Sequence, residues 1–179
     1  SSVGAARAST LNESSLPTGA FSPLWSAPTQ VGAGITQISG TGSGNVYDNF
    51  VPTALPAGAQ TITFNFTAPQ GIGYSYAAGG NLFYSQSPFR WGWDGTPIGT
   101  VGLSYFTRTQ SQTLTLGSNF SGSLYIAMNF TYGSVLPYTV DIPSNGTAAA
   151  PPISAVPRIA SGSLITPRIE GPMTMPAAR

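Results

Sequence analysis

The chain of 179 residues is long enough for one domain with a real core, and too short for two of ordinary size once irregular ends are set aside. Charged residues make up 6% of it, every one of its 6 basic residues is Arg, 5 are acidic, and with no Lys, His or Cys the formal net charge is +1. Ser-His catalysis, Lys bases, thiolate or His metal sites and disulfides are excluded, and a nucleic-acid coat lacks the clustered cations that neutralise phosphates.

From Ser1 to Gln30 the chain is small, polar and punctuated by proline, with Leu11, Leu16, Phe21, Leu24 and Trp25 at no steady period. That pattern predicts an extended N-terminal arm over 1–30, with Phe21, Leu24 and Trp25 as side chains that anchor it to another subunit. No run approaches the roughly 20 apolar residues of a spanning helix, so no membrane span is expected. Ser1 to Thr10 hold one Arg and no apolar run like a signal-peptide core; an export signal is expected to have been removed or never to have existed.

Between Val31 and Ile142 short apolar and polar alternation is broken by Gly, Pro and Asn, the signature of many short strands joined by turns. The clearest strand is Thr61 to Thr67, where Ile62, Phe64 and Phe66 share one face and Thr and Asn the other. Leu124 to Phe130 and Tyr138 to Ile142 repeat the pattern. Shorter candidates are Ile35 to Ile38, Gly73 to Ala77, Leu82 to Ser85, Ile98 to Phe106 and Gln112 to Leu116. Faces that alternate need a second sheet over the apolar side, so the expected fold is all-β: an antiparallel two-sheet sandwich, jelly-roll-like, over residues 31–142, with extended N- and C-terminal arms. Gly40-Thr-Gly42-Ser-Gly44 lacks the Lys-Ser/Thr ending of a phosphate loop and reads as a flexible loop.

The densest chemical cluster is Phe89-Arg90-Trp91-Gly92-Trp93-Asp94. Aromatic rings beside Arg and Asp suit a protein interface or a sugar platform built on Phe89, Arg90, Trp91, Trp93 and Asp94. The plainer arrangement sends Phe89, Trp91 and Trp93 into the core and pairs Arg90 with Asp94. Of the carboxylates, Asp48 reads as a loop side chain, Asp94 as an Asp-Gly turn and Asp141 as a solvent-facing strand residue. With Glu13 and Glu170 they show no spacing that selects a catalytic pair. No catalytic residue, cofactor or metal ligand is expected. Asn12, Asn65, Asn119, Asn129 and Asn145 each begin an Asn-x-Ser/Thr sequence, which chance supplies in a chain so rich in Ser and Thr.

Residues 60–142 carry Gly122-Ser-Leu-Tyr-Ile-Ala-Met-Asn129, a short loop, then Tyr138-Thr-Val-Asp-Ile142, with Trp93-Asp-Gly95 and Gly99-Thr-Val-Gly-Leu103 upstream in a compatible order. This stretch resembles the jelly roll of the galactose-binding lectins of the PA-IL type. The resemblance implies a calcium-dependent sugar site in the loop between the last two strands. Here that loop, Asn129 to Pro137, matches only at Asn129 and has no carboxylate, whereas calcium takes about six to eight oxygens. The metal site is therefore not carried over.

After Ile142, Pro143-Ser-Asn-Gly146 reads as a turn, and 143–179 as a Pro-rich extended arm whose prolines remove backbone donors. Ile153, Ile159, Ile165, Ile169 and Met173 are its candidate anchors, able to order the arm by lying on a neighbour. Low charge, a sandwich and two arms together lead to the expectation of a non-enzymatic structural subunit of a large particle, with a virion decoration, cement or minor capsid protein as the leading case. Its partners would be copies of itself or other shell proteins, held by avidity. A secreted carbohydrate-binding module with a glycan partner, or a bacterial surface or fibre subunit, is the alternative. Its place would be the virion, the cell surface or the extracellular space.

Overall fold

The structure, a computed structural model, describes residues 8–146. Among these residues ten strands form: β1 (Ser9–Asn12), β2 (Thr29–Val31), β3 (Ile35–Gly42), β4 (Val46–Pro52), β5 (Gln60–Thr67), β6 (Ala77–Ser85), β7 (Thr96–Ser104), β8 (Thr109–Leu116), β9 (Tyr125–Gly133) and β10 (Leu136–Asp141). They make two five-stranded sheets, ordered β1-β3-β10-β5-β8 and β2-β4-β9-β6-β7, which pack face to face as a jelly-roll-like sandwich. The sole helical element among these residues is a 3-10 turn over Glu13–Ser15, and no helix described is long and apolar enough to cross a membrane.

The alternation read from the sequence places the core. Ile62, Phe64 and Phe66 of β5 and Tyr138 and Val140 of β10 point inward from the first sheet. They meet Phe50 of β4, Leu82 of β6, Leu103 of β7, and Ile126, Met128 and Phe130 of β9 from the second. Phe130 and Tyr138 stack with ring centroids 5.7 Å apart, and Phe66 meets Phe130 edge-on at 6.4 Å. Burying such aromatics supplies the main favourable term in folding a chain with so few ion pairs.

The expected two-sheet sandwich is present, antiparallel except at one edge of each sheet, where β1 pairs with β3 and β2 with β4 in parallel. Other expectations are corrected. Residues 8–30, expected within an arm, lie along the chain's own sheets, and Phe21 is 1% exposed, packed on Phe50 at 6.0 Å. Phe21 is thus a core residue of its own chain. Leu24 and Trp25 are exposed. Gly73 to Tyr76 is irregular chain around a turn at Tyr74 and Ser75, with strand beginning at Ala77. Gly40 and Gly42 belong to β3 and not to a flexible loop: a Cβ at Gly42 would collide with the Phe130 ring, and one at Gly40 would stand 2.6 Å from the Tyr138 hydroxyl. Ring packing, and not flexibility, explains those two glycines. The C-terminal anchors Ile153, Ile159, Ile165, Ile169 and Met173 lie outside the described residues.

Candidate functional site

Strand alternation builds the floor of one cleft. On β4, Asp48 and Phe50 face the first sheet, so Tyr47 and Asn49 face outward; Tyr47 stands opposite Asn129 of β9, which is flanked by the inward Met128 and Phe130. Tyr47, Asn49 and Asn129 therefore share the outer face of the second sheet. Two loops rise over it.

One loop joins β6 to β7 and contains the cluster singled out in the sequence. Phe89 is 4% exposed and meets Tyr125 edge-on at 6.3 Å, while Trp93 meets Phe83 edge-on at 5.6 Å. Asp94 closes the turn: it accepts from Arg90 N at 3.0 Å, Arg90 Nε at 3.1 Å, Arg90 Nη2 at 3.3 Å and Gly95 N at 3.0 Å. These bonds hold the half-buried Asp94 carboxyl down at about 2 and push the exposed Arg90 guanidinium up. The expected pairing of Arg90 with Asp94 is present. The expected burial of all three rings is not, since Trp91 and Trp93 are exposed. A turn, unlike a strand, does not alternate, and Gly95 at φ +103° forces the turn.

The other loop is the segment after Phe21. Ser22 pairs with Asn49, whose backbone N–H and side-chain Nδ2 donate to Ser22 O at 2.9 and 3.2 Å. Ser22 Oγ accepts from Leu24 N at 3.2 Å, and Thr29 Oγ1 from Ser22 N at 2.8 Å, so the segment carrying Pro23, Leu24 and Trp25 is held at its base. Trp25 reaches the opposite loop: a Cβ on Gly92 would lie 3.5 Å from Trp25 Cδ1.

Between these walls lies a cleft of about 270 Å³, lined by Pro23, Leu24 and Trp25 on one side, Gly92 and Trp93 on the other, and Tyr47, Asn49 and Asn129 beneath. Asn129 Nδ2 donates to Gly92 O at 3.0 Å, so each floor amide pins one wall. Each Asn is 2% exposed. No hydrogen bond within the described residues reaches Asn49 Oδ1 or Asn129 Oδ1, which leaves two acceptors for a ligand.

The cleft thus unites Trp93, proposed from the sequence as part of a platform, with Trp25, read there as an arm anchor. Phe89, Arg90, Trp91 and Asp94 belong to the same loop but are not among the lining residues. The sequence does not mark Tyr47 and Asn49, because Val46-Tyr-Asp-Asn-Phe-Val51 does not alternate. Asp48 and Asp141 stand elsewhere. Asp141 accepts from Gln37 Nε2 at 2.7 Å and Asn65 Nδ2 at 3.0 Å on the outer face of the first sheet. Asp48, expected in a loop, is buried on β4 beneath the Tyr138 hydroxyl. Of the Asn-x-Ser/Thr asparagines, Asn129 and Asn145 are buried and unable to accept a glycan as they stand.

No family model matches the chain, and no curated protein matches it by sequence. Three solved structures give low-level likenesses. A Paenibacillus sp. cycloisomaltooligosaccharide glucanotransferase complexed with cycloisomaltoheptaose aligns at 12% identity over 56% of this chain and 13% of its own, with a TM-score of 0.35. The pre-peptidase C-terminal domain of a Bacillus anthracis collagenase aligns at 13% identity over 63% of this chain and 91% of its own (TM-score 0.38). PliG of Aeromonas hydrophila, a periplasmic inhibitor of g-type lysozyme, aligns at 16% identity over 75% and 94% (TM-score 0.32). Scores at this level carry no functional argument.

Proposed function

We propose that this chain is a non-enzymatic carbohydrate-binding module that works outside the cell or at its surface. The observation that carries this reading is the cleft lined by Trp25 and Trp93 together with Asn49 and Asn129, whose side-chain carbonyls accept no hydrogen bond among the described residues. Aromatic rings take the C–H faces of a sugar, and fixed amide oxygens take its hydroxyls; a small number of such polar groups among apolar walls is the common makeup of a ligand site. The resemblance of residues 60–142 to PA-IL-type lectins points to the same ligand class, with the aromatic cleft in place of the calcium loop. The absence of His, Lys and Cys from the whole sequence supports binding without catalysis.

A glycan array followed by calorimetry of the full chain tests this. Binding is expected, and Trp93→Ala, whose circular dichroism should stay that of the native protein, should weaken it at least about tenfold. An array with no binder removes the reading.

A second reading, the structural subunit, is favoured by a separate feature. At one end of the sandwich Tyr74 and Phe106 are 79% and 84% exposed, and Tyr74 packs on Tyr105 at 4.3 Å. An exposed aromatic cluster suits a protein partner. Light scattering of the full chain beside Tyr74→Ser/Phe106→Ser would show a mass that falls with the substitutions; a monomer in both cases would end this reading.

A further inference from the structure

The floor of the cleft restricts the charge of what enters it. A backbone carbonyl only accepts, so the group of Asn49 facing Ser22 O and the group of Asn129 facing Gly92 O must be the NH2 ends. The orientation of both amides is therefore fixed by chemistry, and at each of these two cleft-lining residues the C=O end is the one left without a hydrogen bond among the described residues. The Trp25 and Trp93 faces carry the negative side of the ring quadrupole. Carbonyl oxygens and ring faces alike attract donors and repel anions.

No cation of the described residues offsets this. Among the described residues the cations are Arg90 and Arg108. Arg90 is neutralised by Asp94 at 3.1 Å, and Arg108 lies over the Tyr105 ring, 5.1 Å from its centroid, beside the β7–β8 turn. Neither lines the cleft. A carboxylate or sulfate entering it would lose water and find no opposite charge among the described residues, which is costly.

Resting on the carbohydrate reading, we infer that the cleft selects glycans that present hydroxyl or ammonium donors and rejects acidic ones: the two Asn carbonyls accept from the sugar, and Trp25 and Trp93 pack against its C–H faces. An amino sugar gains further from the ring faces, which hold a cation.

The test is calorimetric titration of the full chain with three matched probes: a neutral hexose oligosaccharide that binds, its counterpart oxidised to the C6 carboxylate, and its 2-amino counterpart. The expected order is amino sugar at least equal to neutral, with the acidic probe at least about tenfold weaker. Leu24→Lys, at an exposed position in the wall, should bring the acidic probe to within about threefold of the neutral one by supplying the missing charge. Acidic binding equal to or tighter than neutral in the native chain overturns the selectivity and leaves the carbohydrate reading standing. An unchanged ratio in Leu24→Lys also overturns it, because charge would not be its cause. Failure of every probe overturns the carbohydrate reading and the selectivity with it.

Discussion

The Tyr138 hydroxyl on β10 of the first sheet donates a 2.7 Å hydrogen bond to Asp48 Oδ2 on β4 of the second, and so joins the two sheets through a buried polar contact. Asp48 is 1% exposed, and burial pushes its carboxyl from 3.8 up to about 7; the bond from Tyr138 works the other way, and Glu13 adds to the rise. Burial, helped by the neighbouring Asp48 charge, also holds the Tyr138 hydroxyl well above its ordinary value.

The consequence is a stability that falls with pH. Between about 4 and 7 the folded protein keeps a proton on Asp48 that the unfolded chain has already released, so stability declines as pH rises through that interval and levels off above it. The full effect is at most about 4 kcal/mol. Asp48→Asn keeps an acceptor for Tyr138 and has no charge to bury. It should match the native protein at pH 4 and exceed it in stability at pH 8, as urea denaturation followed by circular dichroism would show. Parallel pH profiles for the two proteins would contradict this.

Phe21 separates a core segment from an arm. Buried against Phe50, it should cost about 3 to 5 kcal/mol when changed to Ala. An arm residue exposed in the free protein would cost almost nothing in a monomer. Denaturation at low protein concentration reads the difference directly.

Asn145 closes the far end of the chain's described part. Its Nδ2 lies 3.4, 2.9 and 2.9 Å from the carbonyls of Val31, Gly32 and Ile35, and its Oδ1 accepts from Ala54 N at 3.0 Å, all in a site with no exposure. Removing the amide strands several buried backbone groups. Asn145→Ala should therefore lower stability by about 3 kcal/mol or more, measured by thermal unfolding. Asn145→Asp should do no better, since a carboxylate would face the same carbonyls.

The elements legible in the sequence are those whose chemistry is local. β5 and β10 alternate strictly in burial, β9 carries its large apolar side chains Ile126, Met128 and Phe130 at every second position, and these inward residues are the core. β4 was missed because Asp48, Asn49 and Phe50 are all buried in succession, Asp48 toward the other sheet and Asn49 beneath the loop of Ser22, which erases the period of two. β1 and β2 are short and gain their partners only in parallel pairs with β3 and β4, contacts that no local pattern announces. The cleft was half legible. Trp93 and the Arg90–Asp94 turn stand together in the sequence, whereas Trp25, Tyr47, Asn49 and Asn129 converge only through the β4–β9 register and the Ser22–Asn49 bridge.

The central claim is that Trp25 and Trp93 receive a sugar. Two of the chain's 3 tryptophans line the cleft, so intrinsic fluorescence titrated with neutral oligosaccharides is the most direct measurement. A saturable change in emission is expected, absent from Trp25→Phe/Trp93→Phe. Emission that stays unaltered across the oligosaccharides, or a change of equal size in the double variant, would contradict it.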